Sequence, residues 1–171
     1  TAIRRQRQMC IRDRFLPLPV GVKDLNDVKG LKTTFGSPLF KNNVAKSDDD
    51  VVAQIKKASA VIFGKTNVPE HGFGATTTNP LQGSTGNPFD KSLSAGASTG
   101  GGAAAVASGI VPLATGSDFA GSLRTPASFC GIAGMRPSNG VVGTNRRSNI
   151  WSPFDVELSL IHISEPTRHL L

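Results

Sequence analysis

SAGASTGGGAAA, residues 94–105, is the stretch on which the reading of this chain turns. A Ser/Thr- and Gly-rich loop runs straight into alanines, and three uses of such a loop compete. It cradles a phosphate, it acts as a flexible linker, or it holds serines where a reactive side chain reaches them. Residues 102–108 predict a small-residue helix, in which alanines let one backbone pack closely on another and anchor the loop.

The phosphate reading fails on spacing. A P-loop needs Gly-x4-Gly-Lys-Ser/Thr, with the lysine on the phosphates, and no lysine follows these glycines. The dinucleotide pattern G-x-G-x-x-G is not completed here either. What survives is a generic capacity of backbone N–H groups at a helix N-terminus to hold an anion, so a non-catalytic anion-binding module stays open. A serine nucleophile needs a base to take its proton. Outside the terminal segments the one histidine is His71, in VPEHGFG, and its setting beside Gly-Phe-Gly suits a structural residue. A lysine serves instead where burial and neighbours bring its pKa towards neutrality.

Working outward, LPLPVGVKD (16–24) predicts a strand, with its prolines at an edge or at the strand start. SDDDVVAQIKKA (47–58) predicts a helix capped by Ser47, acidic in its first turn and ending on Lys56 and Lys57. The Asp48–Asp50 run is read as that helix start; a metal site would need partners the sequence does not show. AVIF (60–63), closed by Gly64, and IVPLAT (110–115) predict buried strands, and 66–90 and 116–128 predict loops. Strands alternating with helices indicate an α/β sheet.

The chain has 171 residues, enough for one domain with a core, and a net charge of +7. Residues 4–14 hold five Arg and one Asp; the remainder carries +3, too little to argue for nucleic acid. RRQRQMCIRD and LSLIHISEPTR (158–168) resemble translated ends of sequencing adapters, the alternative being a basic arm and an amphipathic tail. On the adapter reading, 1–14 and 158–171 are non-native and 15–157 is one piece of a domain cut at both ends. One cysteine then remains, Cys130, which supports neither a disulfide framework nor a metal cluster and reads as a small buried hydrophobe. No apolar run reaches the length needed to span a bilayer.

Five motifs in order carry a resemblance. GVKD (21–24), GKTNVPEHG (64–72), TTTNP (76–80), GASTGGGAAAVASG (96–109) and GSDFAGSLRTPASFCGIAGMRPSNGVV (116–142) resemble the amidase signature family. The resemblance runs through nearly all of 16–142 and implies an α/β/α sandwich around a mixed sheet, incomplete here because family members are much longer. It implies a Ser–cis-Ser–Lys triad that falls on Lys23, Ser98 and Ser122, with the Ala97–Ser98 peptide cis. Lys23 would relay a proton through Ser98 from Ser122, which attacks an amide carbonyl to give an acyl-enzyme. Backbone N–H groups of Phe119, Ala120, Gly121 and Ser122 would form the oxyanion hole, with Thr99, Asp118 and Arg124 in support.

By resemblance the substrate is a small amide, with no metal and no cofactor, and the location is cytoplasmic. The alternative within the family is a glutaminase component of a tRNA-dependent amidotransferase, which would bring partner subunits and tRNA. The family usually has Gly where Ala97 and Ala120 stand, and Ser where Thr99 stands. Alanine is strained at either place if φ is positive there. Lys65 reads as a surface lysine, and Asp118 and Arg124 as residues that orient the loop.

Overall fold

A computed structural model describes residues 18–143 and 156–161. Its main sheet has five strands: β1 (Pro19–Lys23), β2 (Val61–Thr66), β5 (Leu113–Asp118), β6 (Ala133–Gly134) and β7 (Val156–Ile161). They lie in the order β2-β1-β5-β7-β6, with β1 parallel to both β2 and β5, and β7 antiparallel to β5 and β6. The sheet is therefore mixed, as the resemblance implies. Two short strands, β3 (Thr78–Asn79) and β4 (Gly83–Ser84), form a hairpin within the 66–90 connection.

Side-chain alternation along β1 separates two layers. Val22 points to one face, where it packs with Val28 and with Val52 of helix α1 (Asp50–Lys57). Gly21 and Lys23 point to the other, towards helix α2 (Gly100–Ala107). A side chain on Gly21 would reach the Val111 and Ala114 methyls. On that face Ala103 and Val106 of α2 join Val111, Ala114, Leu123 and Cys130 in the larger core cluster. The third helix, α3 (Arg124–Phe129), adds Ala127 to it.

Several expectations shift in physically informative ways. β1 sits inside the sheet, not at its edge, and Pro19 occupies its first position, where a missing N–H is tolerated. β2 runs on through Gly64 to Thr66 and is the sheet edge, not a buried strand; Val61 is 48% and Phe63 63% exposed. The cap of α1 is Asp49, not Ser47. Its carboxylate accepts the Asp27 N–H at 2.9 Å, while that of Asp48 accepts the Lys29 N–H and the Lys56 ammonium, each at 2.7 Å. The acidic run thus ties the helix start to the 26–29 turn.

The 116–128 segment is not a loop throughout: its first three residues complete β5 and residues 124–129 form α3. α3 is shorter than two turns, too short for a helical period to show, and Pro126 falls in its first turn, where its missing N–H costs nothing. β7 crosses the boundary expected after Glu157, so the backbone of residues 158–161 pairs with β5. No described helix is long and apolar enough to cross a membrane.

Candidate functional site

Lys23 is the last residue of β1, and its side chain is fully buried at the N-terminal end of α2. Three hydroxyls surround its amine. Nζ donates to Ser98 Oγ at 2.7 Å, to Thr99 Oγ1 at 2.9 Å and to Ser117 Oγ at 2.9 Å. Burial without such partners would be costly for an ammonium; here the acceptors come from the α2 approach and from β5. Thr99 is the N-cap of α2 but makes no side-chain capping bond. Its hydroxyl serves the lysine instead.

The glycines explain how the loop comes so close. The Ala97–Ser98 peptide is cis, and Gly96 before it has φ +78°, where a side chain is disfavoured. A Cβ on Gly96 would lie 2.9 Å from Pro126 Cα in α3. One on Gly101 would collide with the Asn67 backbone, 2.6 Å from its carbonyl oxygen. The first N–H groups of α2 are already used: Gly100 N–H donates to Thr77 Oγ1 at 3.2 Å and Gly101 N–H to Asn67 O at 3.3 Å. That removes the donors an anion-binding helix terminus relies on. Residues 96–100 spell G-x-S-x-G, the pattern of a strand-to-helix nucleophile elbow. The residues before Ser98 are not a strand, however, and its partner is an amine rather than an imidazole.

Ser122 stands between two anchored neighbours. Asp118, fully buried at the end of β5, accepts the Gly121 N–H at 2.8 Å through Oδ1 and the Leu123 N–H at 3.2 Å through Oδ2. Arg124 donates to both oxygens, Nη2 and Nε each at 3.0 Å, and Arg136 Nε lies 3.5 Å from Oδ1. Burial opposes the carboxylate charge. The Arg124 guanidinium and the Gly121 and Leu123 N–H groups outweigh it and lower the Asp118 pKa to about 2. The Ser122 carbonyl in turn accepts the Thr99 N–H at 3.3 Å, joining the two serine loops.

Ser98, Ser117 and Ser122 open onto one cleft of about 710 Å³, which Phe119 and Ala120 also line. Of the four expected oxyanion donors, Gly121 departs from expectation. Its N–H is held by Asp118, while its φ of +111° requires a glycine. Ala97 and Ala120 are both outside the positive-φ region, so strain at these two alanines does not arise.

His71 is exposed on the cleft rim with φ +53°, edge-on to Phe40 at 6.0 Å between ring centroids. Cys130 is fully buried, and burial pushes its thiol pKa up. Lys65 is not a surface lysine. Its ammonium lies 3.0 Å from Asp24 Oδ1, with the lysine side chain 14% exposed and the aspartate 2%. Sequence reasoning missed Ser117, whose only signal was its place in GSD directly after a strand.

The amidase family profile matches residues 2–159. The chain belongs to the amidase family. It is 48% identical over 127 residues to an indoleacetamide hydrolase of Pseudomonas syringae pv. syringae, covering 74% of this chain and 28% of that protein. A glutamyl-tRNA(Gln) amidotransferase subunit of Psychrobacter sp. (strain PRwf-1) is also 48% identical over 127 residues, covering 74% of this chain and 26% of the relative. The chain thus spans about a quarter of the length of these relatives. Among solved structures, a bacterial aryl acylamidase of the amidase signature family superposes with a TM-score of 0.78 at 35% identity, over 84% of this chain and 31% of that one. A 6-aminohexanoate cyclic dimer hydrolase bound to its substrate gives 0.80 at 33%, over 86% and 32%.

Proposed function

We propose that this chain carries the acyl-transfer site of an amide hydrolase, with Lys23, Ser98 and Ser122 as its catalytic residues. The observation that carries this reading is the buried Lys23 amine 2.7 Å from Ser98 Oγ, on the cleft that Ser122 also lines. In its neutral form the Lys23 amine takes the Ser98 proton as Ser98 takes that of Ser122. The Ser122 oxygen then attacks the amide carbonyl, and as the C–N bond breaks the leaving amine takes one proton from Ser98, which Lys23 re-protonates. Water resolves the acyl-enzyme by the same relay run again. The N–H groups of Phe119, Ala120 and Ser122 receive the oxyanion, while Gly121 holds the loop to Asp118. Thr99 and Ser117 steer the lysine, and Asp118 with Arg124 positions the nucleophile loop.

A fluorophosphonate probe on the 171-residue chain, read by mass spectrometry with circular dichroism on the same sample, tests this. Label on Ser122, lost in Ser122→Ala and reduced at least a hundredfold in Lys23→Ala, is the expected result, since general-base assistance is worth about 10²–10⁴. A folded, unlabelled chain refutes it. Because the chain spans about a quarter of its relatives, its turnover of an amide is expected to fall well below that of a full-length relative.

The amidotransferase reading rests on the equal identity to the Psychrobacter amidotransferase protein. It predicts ammonia delivered to a mischarged tRNA once partner subunits are added, in place of free acid and ammonia from simple amides.

A further inference from the structure

Ser98 stands in a stretch, 95–99, that belongs to neither helix nor strand, so no helical or sheet ladder holds it. A proton relay nevertheless needs its Oγ within about 2.6–3.2 Å of each partner, and the Lys23 amine lies at 2.7 Å. A second hydroxyl lies behind this loop. Thr77, 1% exposed and outside the cleft wall, donates from Oγ1 to the Gly96 carbonyl at 2.8 Å and accepts the Gly100 N–H on the same atom at 3.2 Å. One oxygen thus gathers the chain two residues before Ser98 and two residues after it. Such a bridge needs a donor and an acceptor on one atom, which a hydroxyl supplies. A Cβ on Gly100 would overlap that hydroxyl, so glycine at 100 is the counterpart of threonine at 77.

Thr77 is itself fixed by a frame that ends on α2. Its carbonyl accepts the Thr85 N–H at 2.9 Å across the β3-β4 hairpin. Asn67, directly after β2, donates through Nδ2 to Thr85 Oγ1 at 3.0 Å and to the Gly83 carbonyl at 3.3 Å. Its own backbone carbonyl takes the Gly101 N–H at 3.3 Å. Asn79 closes the frame, donating to Asn67 Oδ1 at 2.5 Å and to the Val68 carbonyl at 2.7 Å. All of these partners lie between residues 67 and 101.

We propose that Thr77 is a positioning residue for Ser98: by holding Gly96 and Gly100 to one oxygen, it sets the Ser98 hydroxyl against the Lys23 amine. This rests on the hydrolase reading above and adds a residue to it. Thr77 neither touches substrate nor exchanges a proton with the relay. Its contribution is geometric and passes through Ser98, since misplacing a reacting group by about 1 Å costs on the order of a hundredfold in rate.

The test follows fluorophosphonate labelling of Ser122 on the 171-residue chain as a rate per folded molecule, with circular dichroism giving the folded fraction. Thr77→Val keeps the shape and removes both bonds, and should slow labelling by about tenfold or more. Thr77→Ser keeps the bridging hydroxyl and should label within about threefold of the parent. In a Ser98→Ala background, Thr77→Val should change the residual rate by less than about twofold, because its effect passes through the missing hydroxyl. Parent-like labelling of Thr77→Val overturns the proposal and leaves Ser122 as nucleophile. So does an equal slowing with Ser98 present or absent, which would make Thr77 a scaffold residue only. Where Thr77→Val does not fold, Thr77→Cys decides, since a thiol fills the same place but bonds weakly on both sides. It should label about fivefold slower than Thr77→Ser, and equal rates overturn the proposal. A folded, unlabelled parent refutes the hydrolase reading and this one with it.

Discussion

Replacing Asp118 by Asn tests what holds the nucleophile loop. Both carboxylate oxygens accept backbone N–H groups, Oδ1 from Gly121 and Oδ2 from Leu123 and Arg124. An amide has one oxygen and one NH₂, so either orientation turns a donor against a donor in a fully buried position. An unsatisfied buried N–H costs about 1–3 kcal/mol. Loss of the Arg124 pair adds about 1 kcal/mol at most, because that side chain is 57% exposed and is screened by water. The sum is about 1–4 kcal/mol. A second route agrees: lowering the carboxyl from 3.8 to about 2 corresponds to roughly 2.4 kcal/mol at about 1.36 kcal/mol per pH unit.

The sign of the pH dependence follows from the depressed pKa. The stabilisation is complete above 3.8 and is lost as pH falls from there towards 2. Urea unfolding at pH 7 should place Asp118→Asn about 1–4 kcal/mol below the parent. By pH 3 the difference should shrink by about 1 kcal/mol, roughly half of the titratable part. A difference under about 0.5 kcal/mol at pH 7, or one that does not narrow on acidification, would show that the loop is held by something else.

Other perturbations separate the remaining parts of the structure. Gly101→Ala drives a methyl into the Asn67 backbone, which no rotamer change relieves, and should lower stability by about 2–3 kcal/mol in thermal melts; an unchanged Tm would contradict the packing described. Lys65→Met takes the ammonium away from the buried Asp24, leaving the Thr34 N–H and hydroxyl on that carboxylate, and urea curves should show a loss of about 3 kcal/mol. Ser117→Ala removes one of the three acceptors around Lys23 and should slow fluorophosphonate labelling of Ser122 several-fold, with stability held within about 1 kcal/mol. Cys130 should react with a maleimide only as fast as the chain opens, since its thiol is both buried and less acidic than usual; rapid reaction of the native chain would place it at the surface.

The parts of this architecture that are legible in the sequence are those where one residue type has few uses. A lysine ending an apolar strand and a Ser-Thr pair between glycines each narrow the options, and the five ordered motifs of the resemblance join them to Ser122, while Ser117 goes unnoticed within β5. What is not legible depends on partners distant in sequence. Nothing around Lys65 shows that β2 pairs beside β1 and so brings its amine to Asp24. The cap of α1 falls on Asp49, whose carboxylate accepts the Asp27 N–H and the Asn26 side-chain amide, contacts invisible to a local pattern. The apolar run of β2 suggests burial, yet no described strand pairs with its outer side, and only the sheet order reveals that.

The alanines and glycines around the two serines follow the same logic. Alanine stands at 97 and 120, with glycine immediately beside them at 96 and 121. The structure gives Gly96 a φ of +78° and Gly121 one of +111°, while neither alanine has a positive φ. Glycine stands where the backbone is left-handed, and alanine where it is not. Gly96 is doubly constrained, because a Cβ there would also press on the Pro126 backbone, whereas one on Gly121 would meet only the Thr125 hydroxyl at 3.1 Å. Gly96→Ala should therefore disturb the Ser98 loop more than Gly121→Ala disturbs Ser122, and each more than the alanines already present at 97 and 120. If the two glycine variants label and melt like the parent, the turns around the serines are not set by backbone conformation, and the explanation given for the Gly-rich loop falls.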